Sequence, residues 1–242
     1  MELRGKIAVV TGGAHRVGKV IALALAEAGA NLVIHYHESG DAPAAVAEIE
    51  SRGVRAIAVA ADLSAPAGAE TVFAAAEREF GGVDVLVNSA ASLQSGNVLT
   101  LSPDAWQRTL DLNLSGPFFC AQLAARSMLA RGGGAMVNIA DLSGLKPWAR
   151  YPAHSVSKAG LLMLTQVLAK SLAPTIRVNA IASGPVIKPP DWDEARWQAV
   201  GKNTLLKRTG SGYDIARATL FLLQADYVTG TTMLVDGGRS IA

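Results

Sequence analysis

The chain has 242 residues, of which 50% are hydrophobic and 17% are charged, and its formal net charge at pH 7 is +2. This length and apolar content are typical of one α/β domain with a sizeable core, and without a lysine- or arginine-rich run nucleic acid is not expected as a partner. No apolar run approaches the roughly 18 residues of a membrane span or resembles a signal peptide, and a lone cysteine fits a reducing compartment, so we expect a soluble cytoplasmic protein.

Short β-branched segments alternate along the chain with longer segments rich in alanine and leucine. The first apolar run, Ile7–Val10, is continuous, as expected for a strand buried on both faces. The alternation predicts one α/β domain over residues 1–242, with about seven parallel strands flanked by helices. The predicted strands are Ile7–Val10, Leu32–His35, Ala56–Ala60, Val83–Asn88, Ala135–Ala140, Arg177–Ala182 and Thr231–Val235. The predicted helices are Val17–Ala28, Ala42–Arg52, Gly68–Phe80, Pro103–Arg131, His154–Leu172 and Asp214–Gln224.

Two of these regions carry irregular features. The helix at Pro103–Arg131 contains Gly116-Pro117, where a break is expected; Cys120 follows on an apolar helical face and is expected to be a buried, unreactive thiol. Residues 184–206 contain three prolines and two tryptophans. This segment is either a substrate lid or a surface connection with a short helix at Asp193–Val200.

A glycine-rich turn connects the first predicted strand to the first predicted helix. Residues 11–18 read T-G-G-A-H-R-V-G, and glycines in such a turn let the backbone approach a pyrophosphate at the helix N-terminus. Asp62 follows the third strand, and Asn88 and Ala90 follow the fourth. Together these positions predict a dinucleotide site.

Residues 141–158 read D-L-S-G-L-K-P-W-A-R-Y-P-A-H-S-V-S-K. The segment resembles the catalytic segment of the short-chain dehydrogenase/reductase (SDR) family, in which a Ser is followed 13 positions later by a Tyr and four later by a Lys. The spacing is kept, but Asp141 stands at the Ser position and His154 at the Tyr position, so that only Lys158 matches. The resemblance extends over essentially the whole chain and implies a single Rossmann-type, doubly wound fold.

The resemblance also implies roles for individual residues. Asn113, in D-L-N-L-S-G, matches the family's structural and catalytic Asn, and Lys158 matches the lysine that binds the nicotinamide ribose. Asp62 would hold the adenine. The cofactor-binding residues expected in this way are Gly12, His15, Arg16, Val17, Gly18, His37, Ser39, Asp62, Leu63, Asn88, Ala90, Lys158, Gly184 and Val186. No metal site is predicted.

At three places the chain departs from the common SDR pattern and is similar to pteridine reductases instead. Arg16 replaces the middle glycine of the T-G-x-x-x-G-x-G turn, residues 35–39 read H-Y-H-E-S, and Asp141 replaces Ser. The aromatic residue that contacts the pterin in those enzymes corresponds to Leu93, so the aromatic platform is missing. The nearest resemblance is therefore to this subgroup, with a different substrate wall.

NADP(H) is expected in preference to NAD(H). An NAD enzyme places an acid at the end of the second strand for the ribose hydroxyls, and Tyr36 occupies that position here. His15, Arg16 and His37 lie where a 2′-phosphate would bind, and an arginine can pair with it bidentately. Glu38 argues for NAD(H) unless its side chain turns to solvent.

The exchange of Tyr for His154 leaves three hypotheses open. Only an imidazolium is a useful acid, so an Asp141–His154 pair would donate the proton below neutral pH. Alternatively, Tyr151 reaches the site from the preceding loop. In the third hypothesis the protein binds NADP(H) with weak or no turnover.

The expected reaction is hydride transfer to a carbonyl or C=N bond of a small molecule. The candidate substrate walls are Leu93, Gln94, Trp148, Tyr151, Pro185, Val186, Trp192 and Trp197. By the resemblance, the helices at Pro103–Arg131 and His154–Leu172 form a four-helix dimer interface and the last strand completes a tetramer. We therefore expect a homotetramer or homodimer, with neither nucleic acid nor membrane as a partner.

Overall fold

A seven-stranded parallel sheet forms the centre of the protein. In the computed structural model, which describes residues 1–38, 41–189 and 192–242, the strands are β1 Ile7–Thr11, β2 Asn31–Tyr36, β3 Ala56–Ala60, β4 Val85–Asn88, β5 Gly134–Asp141, β6 Ile176–Ser183 and β7 Thr232–Val235. Their order in the sheet is β3-β2-β1-β4-β5-β6-β7. The predicted Rossmann-type fold is confirmed, with strand boundaries within two residues of those expected.

Helices cover both faces of the sheet. They are α1 Arg16–Glu27, α2 Ala42–Glu50, α3 Pro66–Phe80, α4 Pro103–Leu110, α5 Gly116–Ala130, α6 Pro152–Leu172, α7 Glu194–Lys202 and α8 Gly212–Gln224. One cluster of buried apolar residues joins α1, α2 and α8 to the sheet, and a second joins α3, α5 and α6 to the opposite face. Successive β1 residues alternate between these clusters, because Ala8 and Val10 belong to the first and Val9 to the second.

The long helix predicted at Pro103–Arg131 is distorted ahead of the expected position. Asp111–Ser115 form a π-helical turn between α4 and α5, whereas Gly116 and Pro117 lie in the first turn of α5. Proline is accommodated at a helix start because its missing N–H would have no intrahelical partner there. The break is therefore not caused by Pro117.

Two further sequence expectations concern Cys120 and the segment around α7. Cys120 is fully buried, and burial raises the pKa of its thiol to about 12, so it remains protonated and unreactive as expected. The short helix considered at Asp193–Val200 is present as α7, Glu194–Lys202. In the described part of the chain, no helix is long and apolar enough to cross a bilayer.

The topology places the ends of distant segments side by side. β1 pairs with β2 on one side and β4 on the other, so the strand order reverses direction at β1. In open α/β sheets, ligands bind outside the carboxyl ends of the strands at this kind of reversal. Thr11, Asn88 and Asp141 end β1, β4 and β5 at this edge.

Candidate active site

A cleft of about 670 Å³ opens at the carboxyl edge of the sheet. Its walls come from the segments that follow β1 to β6, as the topology requires. The expected site residues that line it are Gly12, His15, Arg16, Val17, Gly18, His37, Asp62, Leu63, Ala90, Asp141, His154 and Lys158. The glycine turn of residues 11–18 and the segment of residues 141–158 thus share one cleft.

The glycine turn packs directly against the end of β4. Gly12 has a φ of +65°, and a Cβ there would lie 3.1 Å from the Cα of Ala90. The Thr11 hydroxyl accepts hydrogen bonds from the N–H groups of Ser89 (2.9 Å) and Ala90 (3.0 Å). The turn is narrow because two backbone segments meet there with no space for side chains, a geometry that suits close approach of a pyrophosphate.

Arg16 occupies a backbone conformation that favours glycine. Its φ is +52°, which costs a residue with a side chain about 1–2 kcal/mol. The family glycine that Arg16 replaces would adopt this conformation without strain. Arg16 is exposed and lines the cleft. The residue in the strained conformation therefore adds a guanidinium to the cleft at the start of α1.

The end of β2 presents no carboxylate to the cleft. Tyr36 and His37 line it, whereas the side chain of Glu38 is 86% exposed and lies 3.9 Å from the His37 ring. Glu38 therefore turns towards solvent, which was the condition for a 2′-phosphate at this position. Ser39 lies outside the described residues.

At the end of β3, Asp62 is held as an anion. Its Oδ1 accepts hydrogen bonds from the side chain (2.7 Å) and backbone (2.9 Å) of Ser64, and these bonds lower the pKa of the Asp62 carboxyl. Asp62 and Leu63 both line the cleft. An oriented acceptor beside an apolar side chain suits the amino edge and the face of an adenine ring.

Asp141 and His154 form a close pair at the other end of the cleft. His154 lies 13 residues after Asp141, in the first turn of α6, and its Nε2 is 2.7 Å from Asp141 Oδ2. Its Nδ1 is 2.9 Å from the carbonyl oxygen of Ser92. Nε2 faces the Asp141 carboxylate and so carries a proton, whereas Nδ1 lies near both the Ser92 carbonyl and the amide nitrogen of Asn113, at 3.3 Å.

The charge on Asp141 supports this arrangement. Burial alone would raise the pKa of its carboxyl, but the His154 hydrogen bond, the charge of Lys158 and a short hydrogen bond from the Ser143 hydroxyl together lower it to about 2. The carboxylate therefore stays ionised throughout the neutral range. The contact on which the Asp141–His154 proton-donor hypothesis depends is present.

Lys158 lies one turn after His154 and also lines the cleft. Its Nζ donates a 2.9 Å hydrogen bond to the carbonyl oxygen of Ile139. Burial lowers the pKa of the Lys158 ammonium, an effect that the charge of Asp141 opposes. Its expected bond to a nicotinamide ribose stays a prediction.

Asn113 lies behind His154 rather than on the cleft surface. Its Oδ1 accepts from the N–H of Ser92 (2.9 Å), and its Nδ2 donates to the Ser92 carbonyl (3.0 Å) and the Ser157 hydroxyl (3.1 Å). The π-helical turn that contains Asn113 directs this amide towards the Ser92 loop. Asn113 thus fixes the carbonyl that contacts His154.

We expect Asn113→Ala to destabilise the protein and loosen the His154 ring together. Leaving the half-buried Ser92 N–H and the buried Ser157 hydroxyl without this partner should lower the free energy of unfolding by about 1–3 kcal/mol, measured by urea denaturation. Asn97→Ala is the matched control, because Asn97 makes its hydrogen bond to Leu99 at an exposed position. Equal losses in both variants would contradict the role assigned to Asn113.

Comparisons with known proteins agree with this geometry. A family model described as enoyl-(acyl carrier protein) reductase matches residues 12–240. A "short-chain type dehydrogenase/reductase" of Picea abies is 34% identical, with 98% of this chain and 93% of that protein covered. The chain belongs to the short-chain dehydrogenase/reductase family. Members of this family are NAD(P)H-dependent oxidoreductases.

Two further SDR relatives are similar over nearly their full lengths. An L-rhamnose 1-dehydrogenase (NAD(P)(+)) of Sphingomonas sp. (strain SKA58) is 36% identical, with 99% of this chain and 98% of the relative covered. The structure of L-sorbose reductase from Gluconobacter frateurii, complexed with NADPH and L-sorbose, has a TM-score of 0.94 and 30% identity, with 100% of both chains covered. The fold and the family are therefore shown over the whole chain.

Several predicted positions of this SDR chain lie away from the cleft surface. Asn88 is buried and donates to Asn138 Oδ1 (2.9 Å). The N–H of Gly184 bonds to the Val235 carbonyl (2.9 Å). Val186 lines a separate cleft of about 390 Å³. These residues support the walls or border the site, and their predicted contacts with a cofactor remain predictions.

The aromatic residues predicted as substrate walls also differ in their positions relative to the cleft. The Trp148 ring stacks against His154, with ring centroids 6.2 Å apart, and Tyr151 contacts the edge of Trp148. Tyr151 is not among the described residues that line the cleft. Of the His154 and Tyr151 side chains, only that of His154 lines the cleft, where it contacts Asp141.

Other cleft residues were missed from the sequence. Ser92 contributes a carbonyl, which no residue-type pattern signals. Arg108, Thr109 and Leu112 also line the cleft, and their helical spacing next to Asn113 is a signal that could have revealed them. Ser183, at the end of β6, completes the wall.

Proposed function

We propose that this SDR protein uses NADP(H) to transfer hydride to a carbonyl or C=N carbon of a small molecule, with the Asp141–His154 pair as proton donor. The observation that carries the proposal is the 2.7 Å contact between His154 Nε2 and Asp141 Oδ2 in the cleft that also contains the glycine turn. The pair stands at the positions of the family's Ser and Tyr.

The residues present fit NADP(H). Gly18 lets the turn fold closely onto the start of α1, since a Cβ there would overlap the Gly12 carbonyl, and such a tight turn lets the backbone approach a pyrophosphate. Arg16, with His15 and His37, supplies the side chains for a 2′-phosphate. The NADPH complex of the G. frateurii L-sorbose reductase supports the same preference.

The chain's own residues would handle the proton. NADPH, when bound, supplies the hydride. As the carbonyl carbon gains its new C–H bond, His154 would release its Nε2 proton to the oxygen, forming the O–H bond and leaving a neutral imidazole. Asp141 orients the ring and stabilises its charged form, and solvent returns the proton. Lys158 would orient the nicotinamide ribose.

One observation favours a second candidate, a cofactor-binding protein with little turnover. Both ring nitrogens of His154 are already hydrogen-bonded, and its side chain is only 4% exposed, compared with 18% for Asp141. A substrate oxygen must therefore approach the pair from the Asp141 side and share the Nε2 proton. If it cannot do so, His154 only fills the site.

Consumption of NADPH between pH 5.5 and 8.5 tests the proposal. The panel would contain reactive diketones, quinones and pterins, and the His154→Tyr variant would be assayed beside the native protein. The proposal is supported if the native rate of NADPH consumption falls above neutral pH and the pH at which it falls is different in His154→Tyr. A native protein that binds NADPH silently while His154→Tyr gains activity supports the second candidate.

The subgroup and the substrate belong to this proposal as well. Asp141 and Arg16 support a pteridine reductase-like site, whereas Leu93 lines the cleft where those enzymes have an aromatic ring. Residues 184–206 would cover a bound substrate as a lid. The substrate is therefore a small carbonyl or C=N compound that requires no aromatic stacking partner.

We propose a homotetramer or homodimer assembled through α5 and α6. Val156, Met163 and Val167 form an exposed apolar stripe along α6, and Met163 is 59% exposed. Phe118 adds an exposed ring on α5. An apolar stripe on two neighbouring helices is suited to pairing with its symmetry copy.

Met163→Glu should therefore dissociate the oligomer. A charge in each copy of a symmetric apolar interface is desolvated twice and repels its counterpart, so the mass measured by light scattering after gel filtration should fall by half or to that of one chain. Leu99→Glu is the control, because Leu99 is exposed outside these helices. A native protein that is already monomeric would refute the assembly.

A further inference from the structure

His35 is a buried histidine near the end of β2. Only 3% of the residue is exposed, yet it borders the cleft behind the glycine turn. Neither the family motif nor the Asp141–His154 pair accounts for it. Its contacts connect two loops that are far apart in the sequence.

Three hydrogen bonds define its position. The Gly12 N–H donates to His35 Nδ1 (3.1 Å), and the Gly13 N–H donates to the His35 backbone carbonyl (3.0 Å). On the other side of the ring, Nε2 lies 2.9 Å from the Ala61 carbonyl oxygen. His35 thus holds two successive amides of the turn and the residue preceding Asp62.

These contacts determine the state of the ring. Because Gly12 is the donor, Nδ1 carries no proton, and because the Ala61 carbonyl is an acceptor, Nε2 carries it. Burial lowers the pKa of His35, although the bond to Ala61 opposes this effect, so the neutral form is favoured. The ring therefore lies between the two loops, with Nδ1 accepting from Gly12 and Nε2 donating to Ala61.

We propose that His35 is a positioning residue for the dinucleotide: its Nδ1 acceptor holds the Gly12 amide and so sets how far the turn stands from the Ala61–Asp62 loop, while the Nε2 bond to Ala61 keeps Nδ1 free of a proton. The turn faces the pyrophosphate and Asp62 faces the adenine, so this distance must match the length of the adenosine diphosphate half. Both NADPH and NADH contain that half. The proposal rests on dinucleotide binding but not on turnover or on the choice of cofactor.

Two variants separate the two ends of the ring. In His35→Asn, the amide oxygen occupies nearly the position of Nδ1 and can still accept from Gly12. In His35→Gln, the amide nitrogen reaches towards the Ala61 carbonyl, while no acceptor remains at the Nδ1 position. Both replacements are polar amides, so a general loss of packing would affect them alike.

Dissociation constants from fluorescence titration with NADPH and with NADH provide the first measurement. We expect His35→Asn to bind each within about 3-fold of native and His35→Gln to bind each at least about 10-fold more weakly, a difference of about 1.4 kcal/mol. Native-like affinity in both variants, or equal weakening in both, would overturn the proposal. An effect on NADPH alone would also overturn it, because only the 2′-phosphate differs.

Amide hydrogen exchange of the cofactor-free protein provides the second measurement. The Gly12 amide should exchange faster in His35→Gln than in native protein and remain protected in His35→Asn. This result does not require a cofactor, so it still decides the proposal if the native protein binds neither nucleotide and the proposed function fails. Unchanged protection of Gly12 in His35→Gln would refute the positioning role.

Discussion

Replacing His154 with Gln is expected to lower turnover by about 10²–10⁴-fold, the range that a positioned general acid contributes. A glutamine can keep a hydrogen bond to Asp141 but has no proton to release at neutral pH. Affinity for NADPH should change little, because the glycine turn lies at the other end of the cleft. The measurement is the maximal rate of NADPH consumption beside a cofactor titration.

The pH profile identifies the acid more specifically. The Asp141 carboxyl, with its pKa lowered to about 2, stays ionised over the whole assay range. A decline in reduction with rising pH that the native protein shows and His154→Gln lacks would therefore be assigned to the His154 side chain and not to Asp141. Arg78→Gln is the control, since Arg78 is 68% exposed and does not line the cleft. A His154→Gln rate equal to the native rate would disprove proton donation by this ring.

Arg16→Gly is expected to weaken NADPH binding by about 10–100-fold while leaving NADH binding nearly unchanged. The guanidinium would make charge-assisted hydrogen bonds to the 2′-phosphate, each worth about 1.5–3 kcal/mol. The same change should raise the free energy of unfolding by about 1–2 kcal/mol, because glycine adopts a φ of +52° without strain. Affinity and stability thus move in opposite directions.

Lys207→Gly is the matched control for Arg16→Gly. Lys207 also has a positive φ, +54°, and is exposed outside the cleft. It should give a comparable gain in stability, measured by urea denaturation, with no change in either dissociation constant. If Arg16→Gly binds NADPH as tightly as native protein does, the strained arginine has no part in choosing the cofactor.

The fold could be predicted because it depends on patterns among residues that are close together in the sequence. Apolar runs predicted every strand, because in a parallel sheet each strand is buried on both faces and reads as a continuous apolar segment. Helical spacing predicted α1, α2, α3, α6 and α8, whereas α4 and α5 were expected as one helix with a break and α7 as one of two alternatives. The position of the distortion in the helix predicted at Pro103–Arg131 was harder to predict from the sequence. Proline and glycine suggested a break at Gly116-Pro117, but the π-helical turn lies at Asp111–Ser115. Asn113 in that turn bonds to Ser92, a contact distant in the sequence that no local pattern encodes.

The site was predictable to the same extent. The spacing of Asp141, His154 and Lys158 placed all three in one cleft, since the end of β5 and the first turns of α6 are adjacent. Sequence could not show that Ser92, 62 positions before His154, supplies the second acceptor for its ring, because a backbone carbonyl has no residue-type signature. His35 was likewise read only as the end of a strand and the first residue of H-Y-H-E-S, and neither pattern signals the contacts of its ring.

The π-helical turn at Asp111–Ser115 also limits how this chain can change length. Such a turn contains one more residue than the α-helix it interrupts, and each residue rotates a helix by about 100°. The wider turn takes up that extra residue, so a deletion that restores a regular helix would leave α4 and α5 nearly aligned but remove a position from the turn that holds Asn113 opposite Ser92. A further insertion, which no bulge takes up, would rotate α4 relative to α5 by about 100° and move Arg108 and Thr109 out of the cleft wall. The spacing between the two helices should therefore tolerate substitutions far better than insertions or deletions.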